Sequence, residues 1–204
     1  MLSSPKPAAT LVIWSFKANG GEVFMLKRQN QSSFWPNAHV FPGGVVEESD
    51  FEQARALGSL EHAHALAAIR ETHEECGLSF NLSDLTPIAW WLTPVTEKRR
   101  YDTRFFFAEA HMGQIPKVNL SESALGEWVQ PAAILESFKR GDVKLAPPTF
   151  SILKSLYSLQ NKQEIPTLFN RANECICPTT IDIKQPNDTS TGRQQVLTGT
   201  SSGR

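Results

Sequence analysis

Glu71, Glu74 and Glu75 stand at i, i+3 and i+4, a spacing that puts three carboxylates on one face of a helix. Acids this close repel one another, and a divalent cation removes that cost. A hard ion such as Mg²⁺ takes carboxylate oxygen and keeps waters for contact with phosphates. The plainer alternative is a solvated acidic face on an amphipathic helix. Two neighbouring features weigh against it. Arg70 can hold an adjacent carboxylate in place, and Pro42-Gly43-Gly44 offers backbone groups that can approach a phosphate.

The elements that must position these groups follow from the local pattern. His62 to Cys76 reads as a helix with Ala65, Leu66, Ile69 and Cys76 on an apolar stripe and Gly77 as its stop. Residues 8–16 and 22–28 are rich in β-branched and aromatic side chains, and Asn19-Gly20-Gly21 between them signals a hairpin. His39-Val40-Phe41 reads as a short strand running into a Pro-Gly-Gly turn with free amides. Residues 50–60 read as helical, with Gly58 blurring the end. Strands are expected near 86–92, 103–109 and 126–130, and later helices over Pro131–Lys139 and Pro148–Gln160.

The motif that these residues spell resembles the Nudix box, Gly-x5-Glu-x7-Arg-Glu-U-x-Glu-Glu-x-Gly-U, where U is bulky and aliphatic. Arg70-Glu71-Thr72-His73-Glu74-Glu75-Cys76-Gly77-Leu78 matches its second half except at Thr72. Gly44 and Asp50 match the first half, with Asp in place of Glu. Between Asp50 and Arg70 lie 19 residues, 12 more than the seven of the box. A branch of the superfamily similar to the peroxisomal coenzyme A diphosphatase of animals and its bacterial relatives interrupts its box at the same place. The branch also resembles this chain at Phe34–Gly44 and at Tyr101–Phe106, and the likeness runs from about residue 8 to 160.

The resemblance implies an α/β fold, a Nudix-type α/β/α sandwich with a mixed, partly antiparallel sheet. It places a hydrolase domain over 1–168, with the box insertion at about 51–62 as a helical or loop excursion. It implies Mg²⁺ or Mn²⁺ held by Glu71 and Glu75, with Glu74 as a further ligand and the Gly44 carbonyl completing the shell. Arg70 and Asp50 are expected to support the site. Glu74 and Glu122 are the candidate general bases, and Glu122 also reads as an exposed loop acid. Arg28, Gly43 and Arg104 are expected to meet a small-molecule diphosphate substrate. Coenzyme A or acyl-coenzyme A leads the expectation. A nucleotide sugar or dinucleotide is the alternative, and so is a nucleotide-binding module without turnover.

Other groups carry less. Lys98 to Arg100 read as a solvated turn, and Trp35, Trp90 and Trp91 as packing. His62 and His64, at i and i+2, make a poor metal pair, and His73 reads as packing at the stripe's edge. Cys175-Ile176-Cys177 lacks the partners of a zinc site.

Composition bounds the rest. The 204 residues suit one sizeable domain with or without a tail, at 40% hydrophobic and 20% charged. A net charge of −1 argues against a general nucleic-acid binder. Three cysteines make no disulfide framework for this length. The start is too polar for a secretory signal. No apolar run reaches the roughly 18 residues needed to span a bilayer, and the last three residues do not match the Ser-Lys-Leu peroxisomal address. The expectation is a soluble intracellular protein, monomer or homodimer, without membrane or nucleic-acid partners. The cytoplasm is the expected compartment, with peroxisome and mitochondrion as alternatives. Residues 169–204, dominated by Asn, Thr, Ser, Gln and Gly, read as a mobile polar tail.

Overall fold

The computed structural model describes residues 4–18, 20–31, 35–159 and 161–178. Asn19 of the expected hairpin turn, Phe34 and most of the expected tail (179–204) lie outside them. Strand β1 (Lys6–Lys17) pairs antiparallel with β2 (Gly20–Arg28), Trp14 opposite Val23. Two short strands follow, β3 (Ala38–Val40) and β4 (Gly43–Val45). Helices α1 (Glu48–Ala56) and α2 (His62–Cys76) lead to β5 (Thr86–Leu92) and β6 (Tyr101–Glu109). Strand β7 (Ser123–Val129), α3 (Pro131–Arg140), β8 (Lys144–Leu145), α4 (Pro147–Leu156), the single turn α5 (Ile165–Leu168) and β9 (Cys175–Ile176) complete the order. Cys175–Ile176 thus forms a short strand inside the stretch read as a polar tail.

The sheet runs β8-β3-β2-β1-β6-β5-β9, with β4 also on β1 and β7 also on β2. It is mixed: β1 and β6 are parallel neighbours, while β1–β2, β2–β7 and β5–β6 are antiparallel. Strand alternation divides the apolar residues between two layers. Leu11, Ile13, Phe24, Leu26 and Ala108 pack beneath Ala63, Ala67, Ala68 and Cys76 of α2. Val12, Trp14, Val23, Met25, Phe105 and Phe107 pack with Ile134 and Phe138 of α3 and Ile152, Leu153 and Leu156 of α4. Helices therefore cover both faces, giving the α/β/α sandwich that the sequence implied. Among the described residues no helix is long and apolar enough to cross a membrane.

One local reading needs correction. Pro42-Gly43-Gly44 is not a free turn, because Gly43–Val45 pairs antiparallel with Ala8–Thr10 of β1. The register requires glycine: Gly43 has φ +152°, and a Cβ there would lie 2.3 Å from the Ala9 carbonyl oxygen. The glycines serve close backbone approach, which sequence alone does not separate from turning.

Candidate active site

Helix α2 is built on alanine, so it packs close to the sheet and brings its polar face up to the β1–β4 pair. Gly77, left-handed at φ 69°, ends it as expected and donates its amide to the His73 carbonyl. Ala63, Ala65, Ala67, Ala68, Thr72 and Cys76 are buried, whereas Leu66 and Ile69 are only half-buried. His73 is exposed rather than packed at the stripe's edge, and its Nδ1 shares a hydrogen bond with Ser79 Oγ. It stands one residue past buried Thr72, a turn of about 100° that carries it out of the stripe.

Arg70 is the centre of the polar face. Its Nε and one Nη donate to the two oxygens of Asp50 at 3.2 and 3.0 Å. Its other Nη reaches Glu71 and Glu74, each at 3.0 Å, and the Val45 carbonyl accepts a further bond at 3.0 Å. Asp50 is fully buried and accepts the Glu47 amide as well, which closes a capping box at the start of α1. These carboxylates hold Arg70 above its ordinary pKa, with the Asp50 hydrogen bonds contributing most. The 12 extra residues of the box are thus taken up by α1 and the turn at Leu57–Glu61, where Gly58 is left-handed at φ 78°. Asp50 and Arg70, separated in sequence, meet as a bidentate pair.

Glu71 lies against Gly44. A Cβ on Gly44 would come within 2.3 Å of the Glu71 carboxyl group, so any larger residue there would push that carboxyl group aside. Burial raises the Glu71 pKa, Arg70 lowers it, and the charges of Glu74 and Glu122 add to the rise. Glu75 accepts the Gly43 amide at 2.9 Å. Burial pushes its pKa up to about 8 against that hydrogen bond, and the charges of Glu71 and Glu122 push the same way, with Arg28 opposing them. Glu122 is an exposed loop acid, yet its charge acts on both Glu71 and Glu75. It stands one residue before Ser123, which pairs with Arg28 at the end of β2.

This donor set suits a hard divalent cation by chemistry: several carboxylates repelling one another beside a backbone cradle kept open by Gly44. Among the described residues, no three His, Cys, Asp or Glu side chains already surround one point. Arg70 holds Glu71 and Glu74, and Gly43 holds Glu75. Each of these carboxylates keeps further lone pairs with which to meet an ion while its hydrogen bond is held.

A cleft of about 390 Å³ opens beside the acids, lined by Glu75, Gly43, Gly44, Arg28, Thr10, Phe41, Arg99, Tyr101, Thr103, Phe105 and Thr149 among others. Among the described residues the Arg28 Nε is buried without a hydrogen-bond partner. Residues 5–147 match the family model described as the NUDIX domain. The chain belongs to the Nudix family.

Within this Nudix domain the expected site residues fall into two groups. Gly43, Gly44, Asp50, Arg70, Glu71, Glu74, Glu75, Glu122 and Arg28 converge around the place where β4 meets β1 and α2. Arg104 does not join them. Thr103 and Phe105 line the cleft, and strand alternation sends Arg104 to the opposite face, where α2 packs. There its guanidinium carbon lies 3.5 Å from the centre of the Trp90 ring, and Trp90 Nε1 donates to Asp102 at 2.5 Å. Tyr101, Thr103 and Thr149 were missed as lining residues. For the first two the signal was present in Tyr101–Phe106, read with the wrong parity; Thr149, at the start of α4, has no signal in the chain.

The acyl-coenzyme A diphosphatase NUDT19 of Xenopus laevis is 26% identical over 225 residues, covering 66% of this chain and 59% of that protein. Its counterpart in Gallus gallus is 26% identical over 239 residues, covering 71% and 63%. The chain thus spans less than two thirds of either diphosphatase. The crystal structure of a NUDIX hydrolase from Alicyclobacillus acidocaldarius superposes with a TM-score of 0.73 at 25% identity, covering 80% of this chain and 96% of that one.

Proposed function

We propose that this Nudix domain hydrolyses a diphosphate bond in a nucleoside-diphosphate-linked substrate, with coenzyme A or acyl-coenzyme A as that substrate. The observation that carries the reading is the convergence of Glu71, Glu75 and Glu122 with Arg28 beside one cleft. Its volume falls in the range of small-molecule sites. The choice of coenzyme A rests on the likeness to the two acyl-coenzyme A diphosphatases.

Glu71 and Glu75 would hold a divalent ion, Mg²⁺ or Mn²⁺, with Glu74 and the Gly44 carbonyl as further donors. When bound, such an ion neutralises diphosphate charge and lowers the pKa of a coordinated water. The protein's own part is positional. Asp50 fixes Arg70, Arg70 aims Glu71 and Glu74, and the Gly43 amide aims Glu75. Arg28, which lines the cleft, supplies guanidinium donors for a phosphate oxygen. Glu122 is the preferred general base, because Glu74 is paired with the cationic Arg70 guanidinium, whereas Glu122 accepts the neutral Asn119 side-chain amide.

The test is a hydrolysis panel with Mg²⁺ or Mn²⁺ across coenzyme A, an acyl-coenzyme A, an ADP-sugar and a dinucleotide, with products identified by mass. The expected products from coenzyme A are 4′-phosphopantetheine and adenosine 3′,5′-bisphosphate. Intact coenzyme A beside a cleaved nucleotide sugar would refute the substrate choice. Binding without turnover of any compound would refute the enzyme reading. Glu122→Gln should lower kcat at least about 100-fold if it is the base, and Glu74→Gln much less.

A further inference from the structure

Outside the cleft, the C-terminal strand brings two thiols together. β9 runs parallel to β5 with Cys175 opposite Trp90 and Ile176 opposite Trp91. Residues two apart on an extended chain point the same way, so Cys177 follows Cys175 onto one side. Their sulfur atoms lie 2.8 Å apart and share a hydrogen bond. Both are free thiols, Cys175 half-buried against the sheet and Cys177 exposed. A disulfide bond is about 2.05 Å long, so closure asks the sulfurs to approach by less than about 1 Å. The third cysteine takes no part: Cys76 is buried in α2 and donates its thiol to the Thr72 carbonyl.

We propose that Cys175 and Cys177 form a redox-active vicinal dithiol, which closes reversibly to an intrachain disulfide beside β5 when a small-molecule disulfide such as oxidised glutathione is the oxidant. Exposed Cys177 loses its proton and attacks one glutathione sulfur. A mixed disulfide forms and the first glutathione leaves as a thiolate. Cys175 then loses its proton and attacks the Cys177 sulfur, forming the Cys175–Cys177 bond and releasing the second glutathione. Two protein thiols are oxidised, one glutathione disulfide is reduced to two thiols, and the two protons pass to the departing thiolates. The order follows from access, and burial of Cys175 together with the neighbouring thiol pushes its pKa up to about 12, which disfavours it as the first attacking thiolate.

The experiment equilibrates the full chain in glutathione buffers of rising oxidised fraction, quenches with acid and reads intact mass. The expected result is loss of two hydrogens, reversed by dithiothreitol and mapped to a Cys175–Cys177 link. Cys175→Ser should instead accumulate one glutathione on Cys177, and Cys177→Ser should react far more slowly. The native chain should close at an oxidised-to-reduced ratio at least about tenfold lower than the chain unfolded in urea, because the fold presets the pair. Equal ratios in the two states, or native protein that stops at the mixed disulfide, would overturn the proposal.

Discussion

Replacing Arg70 with Met keeps the aliphatic stem but removes every hydrogen bond from the guanidinium. Asp50, with a side chain only 1% exposed, would then hold a charge matched, among the described residues, by the Glu47 amide alone. Breaking one side of a buried ion pair costs about 3–5 kcal/mol. The lost contact to Glu74, whose side chain is 51% exposed, adds roughly 0–1 kcal/mol. The remaining Glu47 bond places the expected total near the low end, about 3–4 kcal/mol. For a chain of this size each kcal/mol is worth roughly 2–4 °C, so Arg70→Met should melt about 6–16 °C below wild type. Asp50→Asn leaves Arg70 with Glu71, Glu74 and Val45 and should cost only about 1–2 kcal/mol. The double variant should therefore be more stable than the sum of the singles by at least about 1.5 kcal/mol. Urea unfolding followed by circular dichroism in EDTA, which removes metal linkage, measures all four proteins. Additive losses, or a loss below about 1 kcal/mol for Arg70→Met, would refute the buried-pair account.

Three further outcomes follow from the same geometry. Gly44→Ala directs a Cβ into the Glu71 carboxyl group; turnover should fall at least about tenfold while the melting temperature moves little, since the far end of a side chain can yield. Glu75, pushed up to about 8, destabilises the metal-free fold when ionised. Its contribution is fully present below its ordinary carboxylate pKa and is lost as pH rises through about 8. Metal-free wild type should therefore lose melting temperature between pH 5 and 9 more steeply than Glu75→Gln, and Glu75→Gln should lack metal-dependent turnover; parallel stability curves would discount the raised acid. Thr72 is fully buried and its hydroxyl has no partner among the described residues, so Thr72→Val should raise stability by about 1–2 kcal/mol in urea titrations.

The parts of the site that lie on one helix were readable, because helical spacing fixes which side chains are neighbours. Glu71, Glu74, Glu75, Arg70 and the Gly77 stop all follow from a period of 3.6 residues. The order of strands and helices was readable for a similar reason: turn residues and apolar runs act locally. What spans distant segments was not. Arg104 was grouped with the cleft because its neighbours resemble a family segment, and one step of strand parity sends it to the other face. Gly43 and Gly44 read as a turn because a strand that needs glycine to approach β1 and Glu71 has no separate mark in the chain. Thr149 reaches the cleft only because α4 packs across the sheet. Glu122 read equally as a candidate base and as a loop acid, and only the pairing of β7 with β2 brings its charge to bear on Glu71 and Glu75.

The bidentate pair between Asp50 and Arg70 makes the intervening segment a tether whose length hardly matters. Lengthening a flexible tether from seven to 19 residues raises its closure cost by only about 0.9 kcal/mol, well below the value of the contact that closes it. Selection on such a site acts on the clasp and leaves the strap loose. The α1 excursion is therefore a natural port for insertions, and residues added between Leu57 and Leu60, both exposed, should leave the carboxylates where they are. A motif pattern that fixes the seven-residue spacing passes over chains of this kind, whereas a family model that spans the whole domain still recovers them.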